Sequence, residues 1–218
     1  WRKEIFPNYK ASRKKTKKSS GIDWQNLYDC LNQLKDEFVH WFPYKVIQVE
    51  KAEADDIIAT LVNLIDERTL ILSSDKDFVQ LHKFNVRQYS PMQKKYVESQ
   101  SDGWSLHEKI IRGDVGDGVP NIMSDDNVFI DEGRRQKPVT KKKVDAWYHL
   151  DPETYCNEEM LRNYNRNKQL VDLGEVPELI RLNIINQFEN TKVGDRKRLL
   201  TYFVNHRLKN LTENLSEF

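Results

Sequence analysis

Residues 45–77 constrain the fold more than any other stretch. They read YKVIQVE, then KAEADDIIATLVNLI, then TLILSSDKDF. Residues 46–49 read as a short strand. From Ala54 to about Asp66, Ile57, Ile58, Leu61 and Leu64/Ile65 recur at helical spacing, and residues 70–72 form the unbroken apolar run of a buried parallel strand. Strand, helix, strand in this order predicts an α/β fold with a parallel sheet. Four carboxylates stand at its junctions: Glu53 and Asp55 open the helix, Asp75 and Asp77 leave the second strand. In such sheets ligands bind outside the carboxyl ends of the strands. Carboxylates gathered there repel one another unless a cation lies between them, and Mg²⁺ or Mn²⁺ is the simplest choice for hard oxygen donors.

Each acidic pair also has a local reading. Asp55 and Asp56 would favour a helix N-terminus through the macrodipole, and Asp75 and Asp77 would serve as turn and cap residues. A third pair, Asp114 and Asp117, lies in GDVGDGVPN, where either would suit an Asx-turn. Together the three pairs supply six carboxylates, Glu53, Asp55, Asp75, Asp77, Asp114 and Asp117, all at element ends. Hydrolysis of a phosphodiester by two divalent ions needs such a set and needs no His or Cys. The five histidines are scattered, and Cys30 and Cys156 are lone, which argues against zinc and fits a reducing compartment.

The rest of the chain reads as what such a site would act upon. Residues 1–20 carry eight basic side chains (Arg2, Lys3, Lys10, Arg13, Lys14, Lys15, Lys17, Lys18) against Glu4 alone, interleaved with Trp1, Phe6 and Tyr9. That pattern is either a solvated tail or a phosphate-tracking arm in which Tyr9 stacks on a base. Asp23 caps a helix running to about Trp41, whose Leu27, Leu31, Leu34 and Phe38 make a core-facing stripe. Residues 85–89 and 94–97 read as a third strand and a hairpin partner. Gly113, Gly116 and Gly118, three of the eight glycines, fall in the loop after a helix at 104–112. Glycines let a backbone approach closely, and Lys141, Lys142 and Lys143 open the helix that Thr140 caps, so this half reads as a duplex grip. Residues 152–218 read as helical, with helices at 158–173, 177–188 and 196–215. No apolar run approaches the roughly 18 residues a membrane span needs.

WRKxxFPxYKxxRKK, EADD, SSDKDF and GDxxDGVPNI, in that order, resemble the 5′ nuclease (flap endonuclease) family, nearest to its T-even-type phage ribonuclease H members. The resemblance runs to the final SEF. It implies a parallel-sheet, PIN-like nuclease core followed by a helix-turn-helix and an all-helical region: 1–20 the arch segment, 21–103 the α/β core, 104–218 the DNA-binding region. It implies a Mg²⁺- or Mn²⁺-dependent 5′-to-3′ exonuclease and flap endonuclease that removes RNA primers in phage replication, in the host cytoplasm, as a monomer. By resemblance Glu53, Asp55, Asp75 and Asp77 are catalytic metal ligands and Asp114 and Asp117 complete a second ion's site, with Asp56 an outer candidate. Lys10 joins the catalytic set, and Arg2, Tyr9, Lys10 and Arg13 engage the scissile phosphate and the 5′ strand. Gly113, Gly116 and Gly118 fall on the duplex-binding turn. Forked or flap DNA and RNA–DNA hybrid are the implied substrates, a single-stranded-DNA-binding protein and a sliding clamp the implied partners.

Two departures qualify this. Residues 122–139 insert where the family moves directly into a second helix, leaving the lysines at 141–143 to substitute for backbone phosphate contacts. The family also begins with a strand-borne Asp and a second Asp shortly before the position of Trp1, neither of which is in these 218 residues. About 80 residues of typical strand and helix length are therefore expected upstream. The chain reads as a fragment, incomplete at its N-terminus and impaired in catalysis, the alternative being a non-catalytic module that binds forked DNA. A PIN-like ribonuclease or a DxD phosphatase shares the acidic logic but explains neither the basic arm nor the glycine-rich turn.

Overall fold

The computed structural model describes residues 1–83, 85–98 and 103–218, the side chains of 14–16 excepted, so those of Lys14 and Lys15 in the arm lie outside the described residues. The arm is not extended. It forms two helices, α1 (Arg2–Ile5) and α2 (Ser12–Ser19), and Phe6 and Tyr9 between them are buried against Ile110, Val119, Leu170 and Val171. A Gly21 turn leads to α3 (Trp24–Trp41), capped as expected by Asp23, whose side chain accepts from the Asn26 N–H.

After an irregular stretch, α4 (Ala54–Leu64) turns Ala59 and Val62 into a core with Ile71, Phe78, Leu81, Val86 and Leu173. Strands β1 (Thr69–Leu72), β2 (Val86–Ser90) and β3 (Lys95–Tyr96) make one small sheet. β1 pairs parallel to β2, Thr69 opposite Val86, and β2 pairs antiparallel to β3, Tyr89 opposite Tyr96. A 3₁₀ turn at Lys76–Leu81 follows β1 directly. The parallel α/β core is therefore present, and it is small.

Three expectations fail here. Residues 46–49 form no strand, because no described strand lies beside them to complete a ladder. In β1 only Ile71 is buried, while Leu70 and Leu72 are 50% and 67% exposed, since they lie on the opposite face of the sheet and nothing described covers it there. The stripe on α3 is not core either: Leu27, Leu31 and Leu34 are exposed, and only Phe38 and Trp41 at its far end pack, against Phe42, Tyr202 and Phe203.

The remaining helices are α5 (Trp104–Arg112), α6 (Lys141–Trp147), α7 (Pro152–Tyr155), α8 (Glu158–Val171), α9 (Glu178–Asn190), α10 (Leu199–Asn205) and α11 (Lys209–Glu213). The expected helix at 196–215 is broken, with Arg207 at φ 55° between α10 and α11. α8 packs on α5 and α1, and α9 on α4, which ties the helical half to the acidic helix-strand unit. No described helix is long and apolar enough to cross a membrane.

Candidate active site

The site begins where α4 begins. Glu53 sits at its N-cap in extended conformation, and the Asp56 carboxylate one turn on accepts from the Glu53 N–H at 2.9 Å. Asp56 faces inward. It is fully buried and takes both guanidinium nitrogens of Arg2 at 2.7 and 2.9 Å, with the Trp1 indole N–H at 3.1 Å. Arg2 is 5% exposed and also donates to the Leu170 carbonyl. Burial works against the charge of Arg2, but the bonds and field of Asp56 outweigh it, and its pKa ends raised. This corrects one expectation, since Arg2 is spent on Asp56 and not turned toward a phosphate; Asp56, expected as an outer residue behind the ligands, supports the Glu53 backbone and fastens α1 to α4.

Glu53 and Asp55 point the other way. The Tyr9 hydroxyl lies 2.8 Å from Asp117 and 3.2 Å from Glu53, so one group from the arm touches acids of two different loops. Tyr9 is 3% exposed, its ring is in the core, and burial with the two carboxylates raises its pKa. It therefore orients acids and does not stack on a base. Lys10, held at φ 56°, donates to both Glu53 oxygens at 2.8 and 2.7 Å and lies 3.6 Å from Asp117. A non-glycine residue in that region costs about 1–2 kcal/mol, which the ion pair and the bond from the Lys10 N–H to the Asp117 carbonyl (2.7 Å) offset. Arg13, at the start of α2, closes this group with a 2.6 Å contact to Asp117.

A second group forms around Lys109, one turn before the end of α5. Its ammonium bonds to Asp77, and to Asp114 at 2.9 Å. Burial would lower the pKa of Lys109, yet the two carboxylates more than compensate and it is raised. Burial raises Asp77 against the pull of Lys109. In Asp114 the bonds from Lys109 prevail over burial and the pKa is lowered. The local readings also hold: Asp75 accepts from the Asp77 N–H, and Asp114 from the Asp117 N–H. Asp114 uses one oxygen for this and gives the other to Lys109. Asp55 joins the two groups. Burial first, then the charges of Asp75, Asp77 and Glu53, push its carboxyl up to about 6.

Four of the six acids thus form two lysine-bridged pairs, Glu53 with Asp117 and Asp77 with Asp114, and Asp55 feels the charges of Glu53, Asp75 and Asp77 between them. Among the described residues no three acidic, histidine or cysteine side chains are gathered tightly enough to hold an ion as they stand. The donor chemistry nevertheless fits a hard dication: all donors are carboxylate oxygens, and after burial the charges of Asp75, Asp77 and Glu53 add to the rise at Asp55.

The glycine turn serves the chain itself. Gly113 has φ +70° and an added Cβ would lie 2.2 Å from the Val119 carbonyl oxygen, within the paired bonds that join Asp114 and Val119. Gly118 packs against Asn8, Lys10 and Ser12, and the Gly116 carbonyl accepts from Arg13. Gly113 thus closes the turn on itself, while Gly116 and Gly118 receive the arm. α8 holds the turn from behind. Asn167 donates to the Ile110 and Pro120 carbonyls, Asn163 to those of Ile122 and Ser124, and Arg166 bonds Pro120 and Asp126. The residues at 141–143 are exposed on the first turn of α6, with Lys141 paired to Asp145 and Lys143 against Met123.

Sequence reasoning missed Lys109 and the α8 clamp. Lys109 carried a signal, a lysine one helical turn before the GDVGD loop. So did α8, whose inward face at 163, 166 and 167 is polar where a core helix would be apolar.

The model of the 5′-3′ exonuclease N-terminal resolvase-like domain matches residues 1–110, and that of the T4 RNase H C-terminal domain matches 101–218. The chain is 33% identical to the ribonuclease H of Enterobacteria phage T4 over 228 aligned residues, covering all of this chain and 75% of that protein. The chain belongs to the 5′-3′ exonuclease family. This 5′ nuclease is also 28% identical to the flap endonuclease Xni of Shewanella oneidensis over 133 residues, 56% of the chain and 48% of Xni. Its fold matches the bacteriophage T5 D15 flap endonuclease, solved as a complex with DNA and metal ions, at TM-score 0.56 and 19% identity over 86% of this chain and 78% of that one.

Proposed function

We propose that the acids of this 5′ nuclease hold divalent metal, Mg²⁺ or Mn²⁺, as two ions in the intact enzyme, for 5′-to-3′ exonuclease and flap cleavage of DNA and RNA–DNA duplexes during phage primer removal. The observation that carries this is the convergence of three loops. Tyr9 and Lys10 join Glu53 to Asp117, Lys109 joins Asp77 to Asp114, and Asp55 responds to Glu53, Asp75 and Asp77 at once. Glu53, Asp55, Asp75, Asp77, Asp114 and Asp117 would hold the metal, which when bound activates water and stabilises the leaving oxygen.

The chain's own residues do the rest. Lys10 and Arg13 stand at the mouth of the acidic groups with ammonium and guanidinium, the donors that grip a phosphate and draw its backbone toward the acids. Tyr9, deprived of solvent, keeps its proton and holds Asp117 and Glu53 in register. Gly113, Gly116 and Gly118 act through the turn that presents Asp114 and Asp117, and Lys141, Lys142 and Lys143 add sequence-independent phosphate contacts at a distance. A single-stranded-DNA-binding protein and a sliding clamp belong to this reading through the family resemblance.

The test is cleavage of end-labelled 5′-flap DNA and RNA–DNA hybrid in Mg²⁺. Asp77→Asn should bind but not cut, since loss of a ligand removes charge stabilisation more than docking. Cutting at the wild-type rate by that variant would reject the reading. A second reading, that these 218 residues alone grip forked DNA without efficient turnover, draws on the absence of any tightly gathered acidic trio among the described residues. For it, binding by the bare chain should weaken with salt at a slope of about 0.7–0.9 per neutralised phosphate. Robust Mg²⁺-dependent cleavage by the bare chain would exclude it.

A further inference from the structure

β2 carries polar side chains where its place in the core calls for apolar ones. Its inward face holds Val86, Gln88 and Ser90, each at most 2% exposed. Val86 packs with Ile71, Phe78 and Leu81, but the next two inward positions are polar. A glutamine amide is costly to bury unless its donors and acceptor are used. Here they are used on one segment. The Gln88 Nε2 donates to the Ser73 carbonyl at 2.8 Å and to the Asp75 carbonyl at 2.6 Å. Both amide hydrogens are thereby taken, so Oε1 is the atom that meets the His82 Nε2 at 3.1 Å, and His82 must carry its proton there. Two residues further along β2, the Ser90 hydroxyl shares a 2.8 Å bond with that of Ser74.

What these bonds hold is the segment that carries Asp75 and Asp77. The pairing of β1 with β2 ends where the Ser73 N–H donates to the Tyr89 carbonyl. The 3₁₀ turn that begins at Lys76 is anchored again in the core by Phe78 and Leu81. Between these anchors Ser73 and Ser74 are half-buried and Asp75 is exposed, so no apolar side chain fixes the path of the chain. Gln88 fixes it instead, gripping two carbonyls at the start of the segment and, through His82, the residue that ends the turn.

We propose that Gln88, oriented by His82, is a positioning residue for the carboxylates of Asp75 and Asp77, and through them for a bound dication. This rests on the nuclease reading above and deepens it. Gln88 touches neither metal nor substrate. It sets the direction in which the chain leaves β1, and that direction sets where Asp75 stands relative to Asp55 and Asp77. Ligands held in place beforehand bind an ion more tightly, because the loop need not be ordered when the ion arrives.

The experiment measures the Mn²⁺ affinity of the full 218-residue chain from the electron paramagnetic resonance signal of free Mn²⁺. Gln88→Met fills a similar volume but donates nothing, and should bind about 10–100-fold more weakly. His82→Phe should lose part of that affinity, and His82→Gln, whose amide nitrogen can stand where Nε2 stands, should keep it. Leu199→Ala empties a fully buried position in the α10 core, away from the acids, and controls for lost stability; it should bind as wild type does. Wild-type affinity in Gln88→Met, or a loss no larger than in Leu199→Ala, overturns the positioning role and leaves the nuclease reading standing. Should Gln88→Met not fold, the His82 pair decides: no loss in His82→Phe, or an equal loss in His82→Gln, overturns the role. Absence of Mn²⁺ binding by wild type overturns both.

Discussion

Asp55→Asn should make the metal-free protein more stable. Asp55 is half-buried at the head of α4 and faces Asp75, Asp77 and Glu53, and its carboxyl is raised from an ordinary 3.8 to about 6. The folded state therefore keeps a proton that the unfolded chain releases. Between pH 3.8 and 6 the folded state binds more protons, so the contribution of Asp55 to stability falls as pH rises through that window and stays low above it. A shift of about two units corresponds to about 3 kcal/mol. Solvent screening of a half-exposed group cuts this to about 1.5 kcal/mol. For a chain of this size that is a rise in Tm of about 3–6 °C for the neutral variant above pH 6, roughly halved at pH 5 and gone below pH 4. Thermal unfolding of wild type and Asp55→Asn in chelator, at pH 8, 5 and 4, reads this directly. Adding Mg²⁺ should stabilise wild type more than the variant. A neutral or destabilising effect at pH 8, or a gain that does not shrink in acid, would refute the reasoning that these carboxylates crowd one another.

Two other substitutions probe the charges that balance the site. Lys109→Met leaves Asp77 and Asp114 facing each other without their shared ammonium, so the metal-free protein should lose about 1–3 kcal/mol, and Mg²⁺ should restore a larger part of Tm than it adds to wild type; a variant as stable as wild type in chelator would show that the Lys109 bridge contributes little. Arg2→Met leaves the carboxylate of Asp56 buried and unpaired, which should cost about 3–5 kcal/mol, or about 10 °C in Tm, without changing the salt slope of nucleic-acid binding; a lowered slope with unchanged Tm would return Arg2 to the phosphate contacts.

The helix and the strand after it survived because they rested on strong local signals, whereas the strand expected at 46–49 did not form. The helical spacing at 57–65 and the turn chemistry around Asp75 and Gly113 specify their conformations almost alone. The acids could be placed at element ends for the same reason. Burial was less legible. Leu27, Leu31 and Leu34 have the spacing of a core stripe, but spacing does not say what lies opposite, and nothing described covers them. Leu70 and Leu72 failed likewise, because an apolar run does not say whether both faces of its sheet are covered. Basic residues in the arm were equally ambiguous: Arg2, Lys10 and Arg13 carry like charge in sequence, yet one is buried on Asp56, one bridges Glu53 and Asp117, and one stays half in solvent. Only the fold, through Phe6 and Tyr9 anchoring the arm on α5 and α8, decides which is which.

The most direct measurement is a Mn²⁺ titration of the isotope-labelled chain followed by NMR. Paramagnetic broadening falls off steeply with distance from the ion. If the acids of three loops form one dication site, amides at 53–56, 75–77 and 114–117 should broaden together at the same low stoichiometry, with 141–143 and the last ten residues untouched. Broadening of a single loop, or diffuse broadening over all acidic surfaces, would contradict it.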